Sequence, residues 1–360
     1  MSKKKEFIRA ANALLFSWKE LFFTLITVFV LVFILFPLLY SSWEKISIPE
    51  DFRLPYVNRD NYYLYSRCAE KEVQRSEYLL IGDSAIWGMY ASNTGTLTAQ
   101  LNRIQKKHRF GNLAIDGLHP VAMKTLMENF GTAIRNRKVL IYFNPLWVNS
   151  AKYDLSSKEK FTINHPELLP QFGNIASYEA AFDKKIGILL DRKCKFFSQL
   201  RHIRNFFYNN GDFKTHLVNT GTSNPVSRLS REIIAEEKEH KGSTENYLTR
   251  RIPVQHWEWV SLTKSRQWQA LTDTAKLLQE RGNQVTILVG GINPGLLDGS
   301  TLSGLRQLRV EAEKLLAKEK ISSIILPELD AKLYADASHP LEPGYTVLAA
   351  ALLKNIVPQQ

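Results

Sequence analysis

The chain has 360 residues, 44% of them hydrophobic and 23% charged, the values of a globular protein with a full core of its own. Its two cysteines exclude a disulfide scaffold and a cysteine-rich zinc site. The formal charge of +12 suits an anionic partner, such as a phospholipid surface or an anionic glycan, or else an unspecific basic surface; no nucleic-acid motif accompanies it, so no nucleic acid is expected.

Residues 1–20 are a basic cytoplasmic tail with Lys3, Lys4, Lys5, Arg9 and Lys19. Residues 21–40 carry no charge and are long enough to cross a bilayer core as a helix. Leu38-Leu39-Tyr40-Ser41-Ser42 offers no small-x-small cleavage site, so the segment reads as an uncleaved signal anchor in the inner (cytoplasmic) membrane. The cationic flank ahead of the span predicts a cytoplasmic N-terminus and a periplasmic or extracellular domain. Residues 41–74, with Pro49, Pro55, Tyr62, Tyr63 and Tyr65, read as a stalk. Cys68 lies in it and Cys194 is the only other cysteine; the two either pair in an oxidising compartment or stay as buried free thiols.

An α/β pattern fills 75–148. Tyr78–Ile81 is a short apolar strand stopped by Gly82-Asp83-Ser84. Leu97, Leu101 and Ile104 share a helix face, 110–115 is a second strand, and 139–143 a third. Between the last two, Pro120 suits the first turn of a helix whose stripe is Met123, Met127, Phe130 and Ile134. Residues 149–265 break the pattern: they are polar and hold Lys184, Lys185, Arg192, Lys193, Lys195, Arg201 and Arg204. They are too long for a structureless loop and read as an inserted, largely helical cap, with Phe196-Phe197 and Phe206-Phe207-Tyr208 as its apolar contacts. Over 266–360 the pattern resumes. A helix with Leu271, Ala275 and Leu278 ends at Gly282. Gln284–Val289 is a strand, Ser303 caps a helix with Leu305, Leu308, Ala312 and Leu315, and 321–326 is the last strand. Val347, Leu348, Ala351 and Leu352 mark a closing helix. Strands alternating with helices through short loops predict about five parallel strands in a flavodoxin-like three-layer α/β sandwich.

Every candidate site residue lies at a strand end or in the following loop, where open α/β sheets place their ligands. Ser84 follows the first strand and Asp336-Ala-Ser-His339 the last. A serine hydroxyl is a poor nucleophile until a base takes its proton; His339 is the candidate base and Asp336 the carboxylate that orients its ring. The backbone N–H groups of Ser84 and Gly117 and the side-chain amide of Asn144 are candidate oxyanion donors. For Asn144 a plain turn before Pro145 is the other reading. Trp87, Trp147, Trp257 and His119 are candidate substrate-binding residues, the tryptophans as walls of a sugar cleft. His165, His202, His216, His240 and His256 fall in the insert, where solvent-facing or capping roles are expected. No cluster has metal-ligand spacing and Gly290-Gly291 lacks the rest of a phosphate loop, so neither a metal nor a cofactor is expected.

Gly82-Asp83-Ser84 together with Asp336-x-x-His339 resembles the SGNH (GDSL-type) hydrolase superfamily. Asn112-Leu-Ala-Ile-Asp-Gly117 is similar to that family's second block, whose glycine offers an N–H to the oxyanion. The third block, usually Gly-x-Asn-Asp, is replaced by Phe143-Asn-Pro-Leu-Trp147. That stretch resembles the Ser-Pro-Gln-Trp of membrane-anchored D-alanyl-transfer proteins of teichoic acid systems, and SGNH-like proteins that work beside membrane-bound O-acyltransferases. The resemblance covers 78–147 and 284–356 and leaves the middle of the chain uncovered. It implies an acyl-Ser84 intermediate, attacked by water in an esterase or by a sugar hydroxyl in a transferase. Tethering favours the transferase, which gains proximity to a membrane acyl carrier. The expected function is a membrane-anchored, extracytoplasmic serine O-acyltransferase, acetyl being the expected group, acting on a cell-envelope glycan or exported polysaccharide beside a multi-spanning membrane-bound O-acyltransferase. An SGNH carbohydrate esterase or lipase is the runner-up, and a non-catalytic glycan-binding scaffold for such an acyltransferase is the alternative of another class.

Overall fold

The computed structural model describes residues 17–173, 175–208, 233–234 and 242–356; Lys3, Lys4, Lys5 and Arg9 of the basic tail, and His216 and His240, lie outside them. The helices are α1 (Trp18–Trp43, π-helical over Leu31–Leu35), α2 (Tyr62–Arg75), α3 (Ser84–Trp87), α4 (Leu97–Gln105), α5 (Pro120–Asn129), α6 (Phe182–Lys193), α7 (Lys195–Phe207), α8 (Arg266–Glu280), α9 (Gly299–Lys318) and α10 (Glu342–Ile356). The sheet consists of β1 (Tyr78–Ile81), β2 (Phe110–Asn112), β3 (Lys138–Phe143), β4 (Gln284–Val289) and β5 (Ser322–Ile325).

All five strands pair in parallel, in the order β2-β1-β3-β4-β5. Their side chains alternate between two cores, as a period of two requires. Leu79, Ile81, Val139, Ile141, Phe143, Val285, Ile287 and Val289 enter one core, with side chains of α2, α5, α8 and α9. Tyr78, Leu80, Leu140, Tyr142 and Leu288 enter the other, with side chains of α4 and α10. Both faces of the sheet are therefore dry, the usual setting of an all-parallel sheet. Chain order reverses at β1: the path goes outward to β2 and returns past β1 to β3. The crevice between the carboxyl ends of β1 and β3 is thus the switch point at which such sheets bind ligands.

Element ends follow local chemistry. His119 caps α5 ahead of Pro120, its Nδ1 accepting from Ala122 N–H at 3.3 Å. Gly282 takes φ +80° just beyond α8. Expected and observed starts differ for α9: Asp298 Oδ1 accepts Thr301 N–H at 2.8 Å and begins the helix a turn before Ser303. A carboxylate upstream is a strong cap, so the serine is left inside the helix. β2 is shorter than 110–115, although Leu113 N–H and Ile115 N–H still reach the Leu80 and Gly82 carbonyls at 2.8 and 3.1 Å.

α1 outruns the expected 21–40 at both ends and is the one helix among the described residues long and apolar enough to cross a membrane. Beyond it the chain departs from a free stalk. Phe52, Leu54, Tyr62, Tyr63, Leu64, Tyr65 and Cys68 are all buried in the main core. Glu44 accepts from the Tyr40 and Tyr63 hydroxyls at 2.8 and 3.1 Å, and it pairs with Arg67 Nε at 3.2 Å and His202 Nε2 at 2.9 Å. Polar periodicity misleads here because tyrosines carry a hydroxyl yet bury most of their surface. Cys68 and Cys194 are both free. Among the described residues of 149–265 the α-helices are α6 and α7, while 149–173, 175–181 and 242–265 hold short 3₁₀ turns and loops.

Arg53 fastens the segment after α1 to the domain. Its buried guanidinium donates to the carbonyls of Trp87, Gly88 and Ala91 at 3.2, 2.7 and 3.2 Å and to Asn93 Oδ1 at 2.9 Å, and it lies 4.3 Å over the Trp87 ring. Arg53→Met removes the guanidinium donors from these carbonyls, of which Gly88 O keeps only Ala91 N–H at 3.1 Å, so unfolding free energy should fall by about 1–3 kcal/mol in denaturant titrations. A loss below about 0.5 kcal/mol, the range of neutral surface substitutions, would contradict that role.

Candidate active site

The turn after β1 is built around Ser84. Asp83 caps the four-residue helix α3, its Oδ1 accepting Ala85 N–H at 3.0 Å. A helix this short cannot satisfy its own ends, so its carbonyls must find partners elsewhere. Ser84 O accepts Gly88 N–H at 2.9 Å, Ala85 O accepts the Tyr345 hydroxyl at 2.6 Å, Ile86 O accepts Asn112 Nδ2 at 3.1 Å, and the Trp87 and Gly88 carbonyls take Arg53. Gly88 reverses the chain at φ +91°, where an added Cβ would meet Thr96 Cγ2 at 2.8 Å. Ser84 therefore sits on a support fixed by α10, β2 and the segment after α1.

The structure brings Ser84, Asp336 and His339 together across 255 residues of sequence. His339 Nε2 is 2.7 Å from Ser84 Oγ, and His339 Nδ1 is 2.8 Å from both Asp336 oxygens. Asp336 Oδ1 also accepts the backbone N–H groups of Ser338 and His339 at 3.0 Å each. With Nδ1–H given to Asp336, Nε2 is left to accept the Ser84 proton. Burial pulls the His339 imidazole down, but the hydrogen bond and charge of Asp336, with the charges of Asp83 and Asp116, hold it above its ordinary 6.5. Burial pushes the Asp336 carboxyl up; His339 and the two backbone N–H groups outweigh it and hold it below the usual carboxylate value. The His339 side chain keeps 15% of its surface exposed, so the site opens to solvent.

Gly117 follows β2 on the same rim, at φ +72°. Among the described residues, no acceptor engages the backbone N–H of Ser84 or of Gly117. Both donors are free for a developing oxyanion. The Asn144 amide is partly committed: Nδ2 donates to Asp83 Oδ2 at 2.8 Å and Oδ1 accepts Leu146 N–H at 3.0 Å, leaving one N–H of the amide. The turn before Pro145 is therefore formed, and the amide proton left over is the one a role as oxyanion donor would use.

The substrate-binding expectations fare differently. Trp87 is 1% exposed, its indole N–H given to Leu54 O at 2.7 Å; the arginine stacked on it and the α3 packing turn it into the core, so it walls no cleft. His119 is buried as the cap of α5 with Nε2 on Asn164 O at 3.2 Å, and burial holds its pKa down at about 3. It is a neutral structural group. Trp147 is buried and donates Nε1–H to Asp83 Oδ2 at 2.8 Å. Trp257 is partly buried, packed on Trp259 at 5.6 Å within a satellite cluster with Ile292, Leu297 and Leu305. In the insert, His165 and His202 are buried rather than solvent-facing, and His256 is exposed beside Asp298 at 2.6 Å.

Several positioning residues escaped the sequence reading. Asp83 is one: fully inside, it takes N–H groups from Ala85, Asn144 and Trp147 and ties the loop after β3 to the serine turn. Asn293 is another: its N–H meets Ala337 O at 2.8 Å and its Nδ2 meets Asp336 O at 3.1 Å, which holds the histidine loop. A signal for both loops was present. Asn144-Pro145 and Asn293-Pro294 each follow a strand, and each Asn closes the same side-chain turn, onto Leu146 N–H and Gly295 N–H at 3.0 Å. Tyr90 stands edge-on to the His339 ring at 5.6 Å with Arg250 over its other side at 4.2 Å. Asn164 lies over Gly117, its Nδ2 2.8 Å from where a Cβ would stand. Both come from the 149–265 insert or touch it, so the insert borders the triad.

No protein-family model matches the chain, and comparison with curated proteins gives no match.

His339 should titrate by NMR with a midpoint above 6.5, because its net shift is upward. Asp336→Asn removes the largest upward contribution and should lower that midpoint. An unchanged midpoint in the variant would contradict the pairing.

Proposed function

We propose that this protein is a membrane-anchored, outward-facing serine O-acyltransferase that works through an acyl-Ser84 intermediate. The observation that carries the reading is the unbroken chain from Ser84 Oγ to His339 to Asp336, all at 2.7–2.8 Å. His339 takes the Ser84 proton as Oγ attacks the acyl carbonyl of an ester or thioester donor. The backbone N–H groups of Ser84 and Gly117 receive the oxyanion, an arrangement whose individual donors are worth about 3–4 kcal/mol. The donor's alcohol or thiol leaves with the proton from His339. A sugar hydroxyl, deprotonated by His339, then takes the acyl group and Ser84 regains its proton.

The strand order, which is the flavodoxin-type order, and helices on both faces support reading the domain as a flavodoxin-like three-layer sandwich of SGNH type. The exposed edge of His339 favours catalysis over a glycan-binding scaffold, since an acceptor can approach. α1 and the cationic flank before it support a single-pass inner-membrane anchor with the N-terminus in the cytoplasm. Anchoring favours transfer over hydrolysis, with a multi-spanning O-acyltransferase as donor-side partner and a cell-envelope glycan or exported polysaccharide, O-acetylated, as acceptor.

Incubation with an activated acetyl ester should add one acetyl group to Ser84, seen by peptide mass spectrometry, and Ser84→Ala should abolish it. Added glycan should then take the acetyl faster than water does. Labelling that persists in the variant would sink the mechanism, whereas indifference to glycan would make the protein an esterase. A reporter active only outside the cytoplasm, fused at the C-terminus, should be functional; a functional cytoplasm-only reporter would reverse the orientation.

A further inference from the structure

α6 and α7 meet at Cys194 in a corner that touches α1. The Phe196 ring lies 5.3 Å from Phe33 and 5.7 Å from Phe36, and Phe197 lies 5.9 Å from Phe33. Gln199 Nε2 adds hydrogen bonds to Pro37 O at 3.1 Å and Ser41 Oγ at 2.9 Å. The level of this contact is informative. The charge-free stretch of α1 starts at Leu21; at 1.5 Å per residue, Phe33 and Phe36 lie about 18 Å and about 23 Å along it. A hydrocarbon core of about 30 Å has not ended there. The corner therefore meets the span at a depth that belongs to lipid.

The surface of the hairpin suits that depth. Phe182, Ile186 and Leu190 follow one another at i, i+4 and i+8, so they share a face of α6; all three are exposed, Phe182 by 71%. Exposed Phe172 packs on Phe182 with rings 6.2 Å apart, and Leu200 is exposed on α7. A groove of about 710 Å³ runs between the helices, with Ile188, Phe197, Leu200 and Ile203 beneath Lys184 and Arg204. Among the described residues, Lys184, Lys185, Lys193, Lys195 and Arg204 have no carboxylate within ion-pair distance, whereas Arg201 is paired with Glu167 and Asp191. Apolar side chains rimmed by cations without a carboxylate partner, Lys185 lying over the Phe172 ring at 5.8 Å, form the pattern of an interfacial helix on an anionic bilayer.

We propose that the α6–α7 hairpin is a membrane-docking element. Its apolar edge enters the leaflet beside α1, and Lys184, Lys185, Lys193, Lys195 and Arg204 hold anionic phospholipid headgroups. Because Gln199 and His202 of α7 bond to residues at the end of α1, docking fixes the domain against the surface instead of leaving it on a swivel. The inference rests on α1 spanning the bilayer.

The test uses the full chain in nanodiscs, in a Cys194→Ser background, with Cys68 left buried. An environment-sensitive fluorophore is placed singly by Phe29→Cys, Ile186→Cys, Leu200→Cys or Val310→Cys, and shallow doxyl lipids serve as quencher. Labels at 29, 186 and 200 should be quenched, and the one on α9 at 310 should not. In discs of phosphatidylcholine with phosphatidylglycerol, combining Lys184→Glu, Lys185→Glu, Lys193→Glu and Lys195→Glu should cut quenching at 186 and 200 by about two-fold or more. Quenching at 29 but not at 186 and 200 overturns docking and leaves the span intact. No quenching at 29 overturns the span and the proposal with it. Quenching at 186 and 200 that ignores the charge reversals overturns the headgroup contacts.

Discussion

A carboxylate sealed inside a protein must be met by donors, and Asp83 meets this constraint in a way that organises the site. Burial pushes its carboxyl up, while Asn144, the charge of His339, Ala85 N–H and Trp147 oppose that rise. The carboxyl stays above its ordinary value, and these four contacts limit how far burial raises it. One oxygen starts the helix that carries Ser84; the other gathers Asn144 and Trp147 from the loop after β3. The two strand ends that define the switch point are thereby stitched together directly under Ser84. Its charge also adds to that of Asp336 in holding His339 above its ordinary value, which links the support of the Ser84 turn to the protonation of the imidazole.

The histidine loop has its own anchor in Asn293, in the loop after β4, the next strand of the sheet. Two Asn-Pro turns at successive strand ends thus hold the two halves of the triad: the first grips Asp83 beneath Ser84, the second grips the carbonyl of Asp336. On the opposite side, Arg53 and Glu44 bring the end of α1 into the core. The distance from α1 to the candidate active site is therefore spanned by packed, hydrogen-bonded structure, so the position of Ser84 relative to α1 is a property of the fold.

Much of this was legible in the sequence, for physical reasons. Short apolar runs between turn residues mark buried parallel strands, and all five are where the runs lie. Ser84 and His339 could be paired because one strand rim collects the loops of every strand. What failed was the reading of aromatic and ionisable residues one at a time. Trp87 and His119 stand next to site motifs, yet the first is pinned by Arg53 and Leu54 O and the second spends both ring nitrogens on the start of α5 and Asn164 O. The tyrosines of 62–65 read as stalk because partners such as His165 and His202 come from the insert, far along the chain. Asp83 sits in a three-residue turn motif beside Ser84, and its donors Asn144 and Trp147 come from a loop some sixty residues on, so only tertiary contacts reveal how many converge on it.

The central claim is that His339 activates Ser84. The most direct measurement is the rate at which a fluorophosphonate inactivates the protein, followed as a function of pH. That rate should rise through a midpoint above 6.5, where the imidazole becomes neutral and can take the Ser84 proton, and His339→Gln should lower it by about 10³-fold or more. A rate that is flat across the same range, and equal in the wild type and the variant, would contradict the account.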